Sequence, residues 1–342
     1  MQNRTTCFLI LLNFASGICG MEHTINKEIE LKDVVHIVVV PGIGAVSIDN
    51  EVDAKPVKRD YIRDIFPQFE NVHYTESPQW PPDLGQEQCL ECLKKTMDPL
   101  IKEQNVKRII LHGSSMGTAT TLNYVAEHPD NVKMVILEGT IASGNNQISL
   151  VAETISPLLT KIPLNYYVLP YLAKVLMSFF TPTEKGFEFN WGAKFKLCPY
   201  WPTGKQSFLS IEKIPHDLPI ILLHSIYDMT PFEQARIIYE GLKNKGHDNV
   251  YLLPIIEKRH DCLLDRKKNQ KEIAALYTIL QKHNLLPDQN SDTNENVDLT
   301  IYQPQLDSAA YTKLYNQEWY FILVKPFCCL FTLAMIAHLL GS

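Results

Sequence analysis

The 342-residue sequence lacks the features that mark several large functional classes. It has no basic excess, because 32 Lys and Arg residues against 38 Asp and Glu residues give a net charge of −6, which argues against a nucleic-acid-binding surface. It contains no internal repeat, no P-loop and no dinucleotide-binding glycine fingerprint. No cluster of His, Cys, Asp and Glu has metal-ligand spacing, so the sequence implies neither a metal nor another cofactor.

Eight cysteines are present, but most of them lie where they imply no chemistry. Cys89 and Cys92 form a C-x-x-C inside QEQCLECLKKTMDPLIKE, which has helical periodicity and no second pair of metal ligands. We predict that both lie on a helix face. If the protein is exported, a disulfide between them is an open alternative. With 45% hydrophobic residues, the chain can bury one full core and carry an inserted segment.

The most informative motif is the pentapeptide GSSMG at 113–117, with Ser115 at its centre. The apolar run VKRIIL precedes it and the helix-like stretch TATTLNYVAEHPD follows it, so the pattern predicts a sharp strand-to-helix turn. In such a turn the flanking glycines remove side chains that would collide, and the hydroxyl of Ser115 is presented at the start of the helix. Ser115 is therefore a candidate nucleophile, the alternative being a capping serine in a glycine-rich turn.

A serine hydroxyl needs a base to remove its proton and an acid to orient that base. The segment PIILLHSIYDMTP places Asp228 just beyond the carboxyl end of a predicted buried strand, and NVYLLPIIEKRHD places His260 after another one. The order serine, acid, histidine is expected for a nucleophile on a strand-to-helix elbow. We predict Asp228 as the acid, with Asp217 as the fallback, and His260 as the base, with His247 as its rival.

With these three motifs the chain resembles the α/β-hydrolase family from about residue 35 to about residue 286. The resemblance implies an α/β fold with a mostly parallel, doubly wound sheet and an inserted, mainly helical cap. The expected segments are a signal peptide or N-terminal anchor at 1–20, a hydrolase core at 35–142 and 217–286, a cap at 143–216, a polar linker at 287–319 and a hydrophobic segment at 320–341.

The resemblance also implies an oxyanion hole for the negative charge that develops on the substrate oxygen. One half comes from the loop after the first core strand, HIVVVPGIGA, where Pro41 and Gly42 occupy the positions of the His-Gly pair of many members. Because Pro41 has no N–H to donate, the expected donors are the backbone N–H groups of Ile43 and Met116. One such donor typically contributes roughly 3–4 kcal/mol in the transition state.

The strand-like run VKMVILEGT and the next core strand are separated by about 75 residues, too many for a connecting loop, so a cap over the site is predicted. Prolines interrupt its apolar stretches at three places, Pro157, Pro163 and Pro170, which indicates several short helices. The insertion either only packs on the core or forms an apolar pocket, and a pocket would favour a lipophilic acyl chain.

Both ends of the chain carry apolar segments that predict export and membrane association. MQNR is followed by TTCFLILLNFASG, in which Ala15 and Gly17 have the A-x-G spacing of a cleavable signal peptide. At the C-terminus, the 21 residues YFILVKPFCCLFTLAMIAHLL are interrupted by a lysine, a proline and a histidine. This segment is a tail anchor, a membrane-lying segment, a packed helix, or a lipid-anchor signal removed after the small residues 308–310.

Together these patterns predict a serine hydrolase that cleaves a lipophilic ester or thioester through an acyl-enzyme on Ser115. An acyltransferase or a peptidase with the same three side chains, and a non-catalytic relative that binds a lipid, stay open as alternatives. The expected partner is a small lipophilic acyl substrate and not a nucleic acid. The expected location is exported or in the cell envelope, at a membrane.

Overall fold

The structure is a computed structural model, which describes residues 34–42, 62–75, 86–143, 180–183, 186–189, 207–228, 230–256, 267–286, 297–305, 309, 311–314 and 316. The described strands are β1 (His36–Val40), β2 (Val72–Tyr74), β3 (Ile109–Ser114), β4 (Val132–Glu138), β5 (Phe180–Thr183), β6 (Gly186–Phe189), β7 (Ile220–Ser225) and β8 (Val250–Ile255). The described helices are α1 (Gln86–Asp98), α2 (Met116–Glu127), α3 (Ser207–Ser210), α4 (Glu233–Asn244) and α5 (Gln270–Lys282).

Six of these strands form one sheet in the order β2-β1-β3-β4-β7-β8, and every neighbouring pair is parallel. Strands β1, β3 and β7 are buried along their whole length, as expected for a parallel sheet covered on both faces. Alternate residues serve opposite cores: Val38 and Val40 pack with residues of α2 and α4, whereas Ile37 and Val39 pack with residues of α5. The predicted mostly parallel, doubly wound sheet is confirmed.

The strand order contains a switch point between β1 and β3. The chain passes from β1 outward to β2 on one side, and then crosses back to β3 and continues through β4 and β7 to β8 on the other. Ligands of such sheets bind outside the carboxyl ends of the strands at this point, where connections leave in opposite directions. The segments after β1 and β3 therefore flank the expected site.

The predicted cap at 143–216 is described only in part. Strands β5 and β6 pair as an antiparallel hairpin, an element that the mainly helical prediction did not contain. Phe208 of α3, Ile211 of the 3-10 turn after it (Ile211–Lys213) and the next residue, Ile214, are buried in the core beside α2 and α4. The prolines that indicated short helices lie outside the described residues.

Part of the segment 287–319, which was predicted as a polar linker, packs on the core. Tyr302, Tyr311 and Leu314 are buried, and the backbone N–H of Tyr311 donates to Glu240 Oε2 at 3.1 Å. The prediction relied on the polar, aromatic-free stretch PDQNSDTNENVDLT. The tyrosines that follow it bring apolar ring area, whose burial favours packing.

The two terminal segments, 1–20 and 320–341, lie outside the described residues. Within the part of the chain that the structure describes, no helix has the length and apolar character needed to cross a bilayer.

Candidate active site

Ser115 lies at the turn between β3 and α2 in a conformation that is rare for a residue with a side chain. Its backbone angles are φ 53° and ψ −119°, and it is one of three described non-glycine residues with positive φ. Such a conformation costs on the order of 1–3 kcal/mol and persists where surrounding contacts enforce it. Here the N–H of Ser115 donates to Glu138 O at 2.8 Å, which ties the turn to the end of β4.

The two glycines of the G-x-S-x-G motif are required by close backbone approaches. A β-carbon on Gly117 would lie 2.1 Å from Val40 O, in the backbone of β1. A β-carbon on Gly113 would lie 2.6 Å from Thr121 Oγ1 and 2.8 Å from Gly117 O. These glycines let α2 start directly beneath the strand ends, and the tight turn follows from that packing.

The loop after β1, to which the resemblance assigns one half of the oxyanion hole, lies against Ser115. β1 pairs with β3 in the register Val40 to Gly113, so Pro41 and Gly42 emerge beside the turn. A β-carbon on Gly42 would lie 2.7 Å from Ser115 Cβ and 3.3 Å from Ser115 Oγ. Of the two expected oxyanion donors, Met116 begins α2, and Ile43 lies outside the described residues.

Asp228 follows β7, and its carboxylate is completely buried. Asp228 Oδ1 accepts the N–H of Thr230 at 2.8 Å, and Oδ2 lies 3.9 Å from His224 Nε2. His224 Nε2 is 2.8 Å from Thr230 O. Because a carbonyl oxygen can only accept, this ring nitrogen carries the proton and donates to it. These contacts hold the turn after β7 against the buried side chain of His224.

Ser115 and Asp228 lie at the same edge of the sheet. Both follow the carboxyl ends of parallel strands, β3 and β7, with only β4 between them. Neighbouring strands are about 4.8 Å apart, so this edge can hold both groups around one substrate. His260 follows the adjacent strand β8 in the chain, five positions after Ile255, and lies outside the described residues.

The two alternative candidates, Asp217 and His247, lie at the opposite edge of the sheet, where its strands begin. Asp217 precedes β7 and His247 precedes β8, so both are at the amino ends of their strands. His247 is buried with its ring centroid 4.8 Å from that of His216. Burial, followed by the charges of His216 and Lys243, lowers the pKa of His247 to about 4. A base that deprotonates Ser115 has to reach the carboxyl ends of the strands, where Ser115 lies.

A network of buried polar groups around this edge was not predicted. Thr118 on α2 contacts both Ser115 and Ile141, and Gln234 Oε1 on α4 accepts the N–H groups of Ala142 and Ser143 at 2.9 and 3.1 Å. Ile141 is 23 residues from Thr118, and Ala142 is 92 residues from Gln234, so no local pattern predicts these contacts.

A second unpredicted contact lies directly under the turn. On β3, His112 Nε2 is 3.3 Å from Glu138 Oε2 at the end of β4, and both side chains are buried. A histidine and a glutamate inside apolar strands are a sign of such a pair, since buried charged groups need partners. The sequence therefore carried a signal for the pair, although not for which residues meet.

The C-x-x-C pair behaves as predicted for a helix face. No disulfide joins Cys89 to Cys92 on α1, and Cys89 is buried. Burial, together with Cys92, raises the pKa of the Cys89 thiol to about 12, which disfavours the reactive thiolate. Among the described residues, no group of three or more His, Cys, Asp or Glu side chains is placed to hold a metal ion.

Comparison with known proteins agrees with this geometry. Residues 86–186 match the family model described as serine aminopeptidase, S33. That span contains β3, Ser115, α2 and β4. The match covers less than a third of the chain and shows similarity to that family. The sheet order and the turn at Ser115 are those of an α/β-hydrolase fold. No curated protein matches the chain.

Several solved structures are similar to the chain at low identity. The esterase Pf2001 of Pyrococcus furiosus is 14% identical over 73% of this chain and 82% of its own, with a TM-score of 0.47. Est1E of Butyrivibrio proteoclasticus is 14% identical over 73% and 88%, with a TM-score of 0.45. The monoacylglycerol lipase of Paleococcus ferrophilus is 16% identical over 72% and 94%, with a TM-score of 0.45.

Proposed function

We propose that the chain is a serine hydrolase that cleaves a carboxylic ester or thioester. The observation that carries this proposal is Ser115 itself, held at positive φ between β3 and α2. A strained serine at a strand-to-helix turn, with the loop after β1 against its side chain, is the arrangement that presents a nucleophile.

In the proposed mechanism, His260 takes the proton of Ser115 Oγ as that oxygen attacks the substrate carbonyl carbon. The resulting oxyanion accepts the backbone N–H groups of Met116 and Ile43. When the tetrahedral intermediate collapses, the carbon–oxygen or carbon–sulfur bond breaks, and the leaving alcohol or thiol takes the proton from His260. Water then repeats the sequence, releasing the acid and restoring Ser115. Asp228 orients His260 and stabilises its cationic form throughout.

A lipophilic substrate is supported by apolar side chains at this edge. Ile226 and Tyr227 follow β7, and Ile256 follows β8, with exposures of 43%, 57% and 74%. The N–H of Ile226 donates to Ile255 O at 3.0 Å, so the two strand ends are held together. Large apolar groups in water near a catalytic edge favour an acyl chain over a sugar or a charged metabolite.

The test is labelling of the full chain with a fluorophosphonate probe, which modifies activated serines. We expect the wild type and Ser114→Ala to label and Ser115→Ala not to label, because only Ser115 lies in the elbow conformation. Ser114→Ala is the matched control, since it removes a neighbouring hydroxyl from the same segment. p-Nitrophenyl esters of rising chain length then measure the acyl preference. We expect esters with acyl chains longer than acetyl to be cleaved faster than the acetate.

Three other functions would give different results. A peptidase, the activity named by the matching family model, would label at Ser115 but prefer aminoacyl amides to the ester series, and an acyltransferase would label but need an acceptor other than water. A non-catalytic lipid-binding relative would be folded and unlabelled, and Ser115→Ala would bind the lipid as the wild type does.

We also propose that the protein is exported and associated with a membrane through its terminal segments. Burial of Tyr311 and Leu314 in the core favours a tail that stays attached, because cleavage after 308–310 would remove both side chains. Mass spectrometry of the mature protein should find a start near residue 18–21, and carbonate extraction should leave the chain in the membrane pellet. A variant ending at residue 319 should be extracted, and its extraction together with the full chain would contradict the anchor.

A further inference from the structure

Thr118 makes three hydrogen bonds around the turn at Ser115. Its hydroxyl donates to Ser115 O at 2.5 Å, and its backbone N–H donates to the same oxygen at 3.0 Å. The N–H of Ile141, in the segment after β4, lies 3.1 Å from Thr118 Oγ1. The side chain of Thr118 is fully buried. One hydroxyl therefore joins the turn to the segment that leads into the inserted cap.

The direction of these bonds is set by the partners. A backbone N–H can only donate, so Thr118 Oγ1 accepts at Ile141. A carbonyl oxygen can only accept, so the single hydrogen of the hydroxyl points to Ser115 O. Because both requirements are met at once, the hydroxyl cannot rotate without losing a bond inside the core.

We propose that Thr118 is a positioning residue for the oxyanion donor at Met116, an inference that rests on the proposed function. The carbonyl of Ser115 and the N–H of Met116 belong to one peptide unit, which is planar and trans. In such a unit the C=O bond of Ser115 and the N–H bond of Met116 point in opposite directions. Fixing Ser115 O on Thr118 therefore aims the Met116 N–H to the other side of that unit, where the resemblance expects the oxyanion.

A hydroxyl that bonds to a carbonyl three residues earlier is common for threonine in helices, so a purely structural role is the competing explanation. The two roles differ in what they change. A structural bond changes the stability of the folded chain. The direction of the Met116 N–H instead changes the rate of the chemical step, because it acts once negative charge has developed on the substrate oxygen. The kinetic signature is a lower kcat with little change in KM.

The decisive variant is Thr118→Val, which removes the hydroxyl and keeps the shape. We expect kcat on a p-nitrophenyl ester to fall about tenfold, less than the 10²–10³-fold loss of a whole oxyanion donor, because the backbone N–H of residue 118 still holds Ser115 O. KM should stay within about twofold of wild type. Fluorophosphonate labelling should slow in parallel, since the probe also places an oxygen in the hole.

Two further variants test whether the effect of Thr118→Val comes from the position of the Met116 N–H or from a change in core packing. Thr118→Ser restores the hydroxyl and should recover most of kcat. Thr278→Val is the matched control, because Thr278 Oγ1 on α5 donates to Ala274 O at 2.9 Å, a similar helical bond on the opposite face of the sheet from α2. It should leave kcat within about twofold of wild type.

Three results would overturn the inference: Thr118→Val with wild-type kcat, Thr118→Ser as slow as Thr118→Val, or Thr278→Val as slow as Thr118→Val. Thermal unfolding of every variant checks that each is folded, and Thr118→Ala replaces Thr118→Val under the same criteria where valine prevents folding. Failure of the proposed function is a separate outcome, in which the folded wild type itself neither labels nor hydrolyses esters.

Discussion

Gly42 and Ser115 are so close that no other residue type fits at position 42 without a shift. A β-carbon there would lie 2.7 Å from Ser115 Cβ and 3.3 Å from its Oγ. The loop after β1 and the turn after β3 are therefore built against each other, and each limits where the other can move.

The first prediction concerns this contact and the variant Gly42→Ala. The added methyl must displace the Ser115 side chain or the loop, and a displacement near 1 Å costs about 100-fold in catalysis. We expect kcat/KM on a p-nitrophenyl ester to fall by about that factor, with a stability loss of about 1–3 kcal/mol from overpacking.

Gly246→Ala is the control for Gly42→Ala. Gly246 has φ +83°, so alanine strains the backbone there, but its β-carbon would meet nothing closer than His216 Nδ1 at 3.9 Å. Gly246 precedes β8 and lies at the opposite edge from Ser115. It should lose roughly 1 kcal/mol of stability and keep full activity. Equal activity losses in both variants would show that instability alone explains the effect.

The second prediction distinguishes the two candidate acids. Asp228→Asn keeps an oxygen for the N–H of Thr230 but removes the negative charge that orients and stabilises the histidine. We expect kcat to fall by about 10³–10⁴-fold, as is typical for loss of the acid in such a site.

Asp217→Asn should leave kcat unchanged, since Asp217 precedes β7 at the opposite edge and its carbonyl oxygen, retained in the variant, accepts from Asn249 Nδ2 at 3.4 Å. Steady-state kinetics of both variants, with thermal unfolding as the check on folding, decides the assignment. An active Asp228→Asn beside an inactive Asp217→Asn would reverse it.

The third prediction concerns the buried amide of Gln234. Gln234→Leu leaves the N–H groups of Ala142 and Ser143 without this acceptor, and an unsatisfied buried donor costs about 1–3 kcal/mol. We expect the free energy of unfolding in urea to fall by roughly 2–4 kcal/mol.

Gln281→Leu is the matched change for Gln234→Leu, because it makes the same substitution at an exposed position on α5. Its effect should stay within about 0.5 kcal/mol. Similar losses in the two variants would mean that the anchoring of the segment at 142–143 adds nothing to stability.

The fourth prediction is a pH dependence of stability. Burial, followed by the charges of His216 and Lys243, lowers the pKa of His247 to about 4, whereas the unfolded chain has a histidine pKa near 6.5. Between these values the unfolded state binds more protons, so the stability that comes from keeping His247 neutral is complete above about pH 6.5 and is lost as the pH falls toward 4.

The measurement is the urea midpoint from pH 7 to pH 4 for the wild type and His247→Gln. The variant cannot be protonated at this position, so its midpoint should depend less steeply on pH even though its stability at pH 7 differs. His128→Gln, at an exposed position after α2, should follow the wild-type slope. A His247→Gln slope equal to that of the wild type would rule out this titration as a cause.

Much of the site was predictable because its signals are local. The motif GSSMG between an apolar run and a helix-like segment determines a sharp turn at Ser115, since glycine spacing and helix start are properties of a few consecutive residues. Apolar runs ended by polar turns likewise indicated buried parallel strands, with Asp228 just beyond one of them. The alternation of β1 residues between two cores follows from the two-residue period of a strand.

The tertiary structure decided what depends on partners far apart in the sequence. Asp217 and Asp228 stand only a few residues on either side of β7, and only the parallel pairing of β3, β4 and β7 places Asp228, and not Asp217, at the same edge of the sheet as Ser115. The contact of Thr118 with Ile141 spans 23 residues, and that of Gln234 with Ala142 spans 92. Local spacing fixes backbone shape, whereas such contacts depend on how the crossover connections return each helix to the sheet.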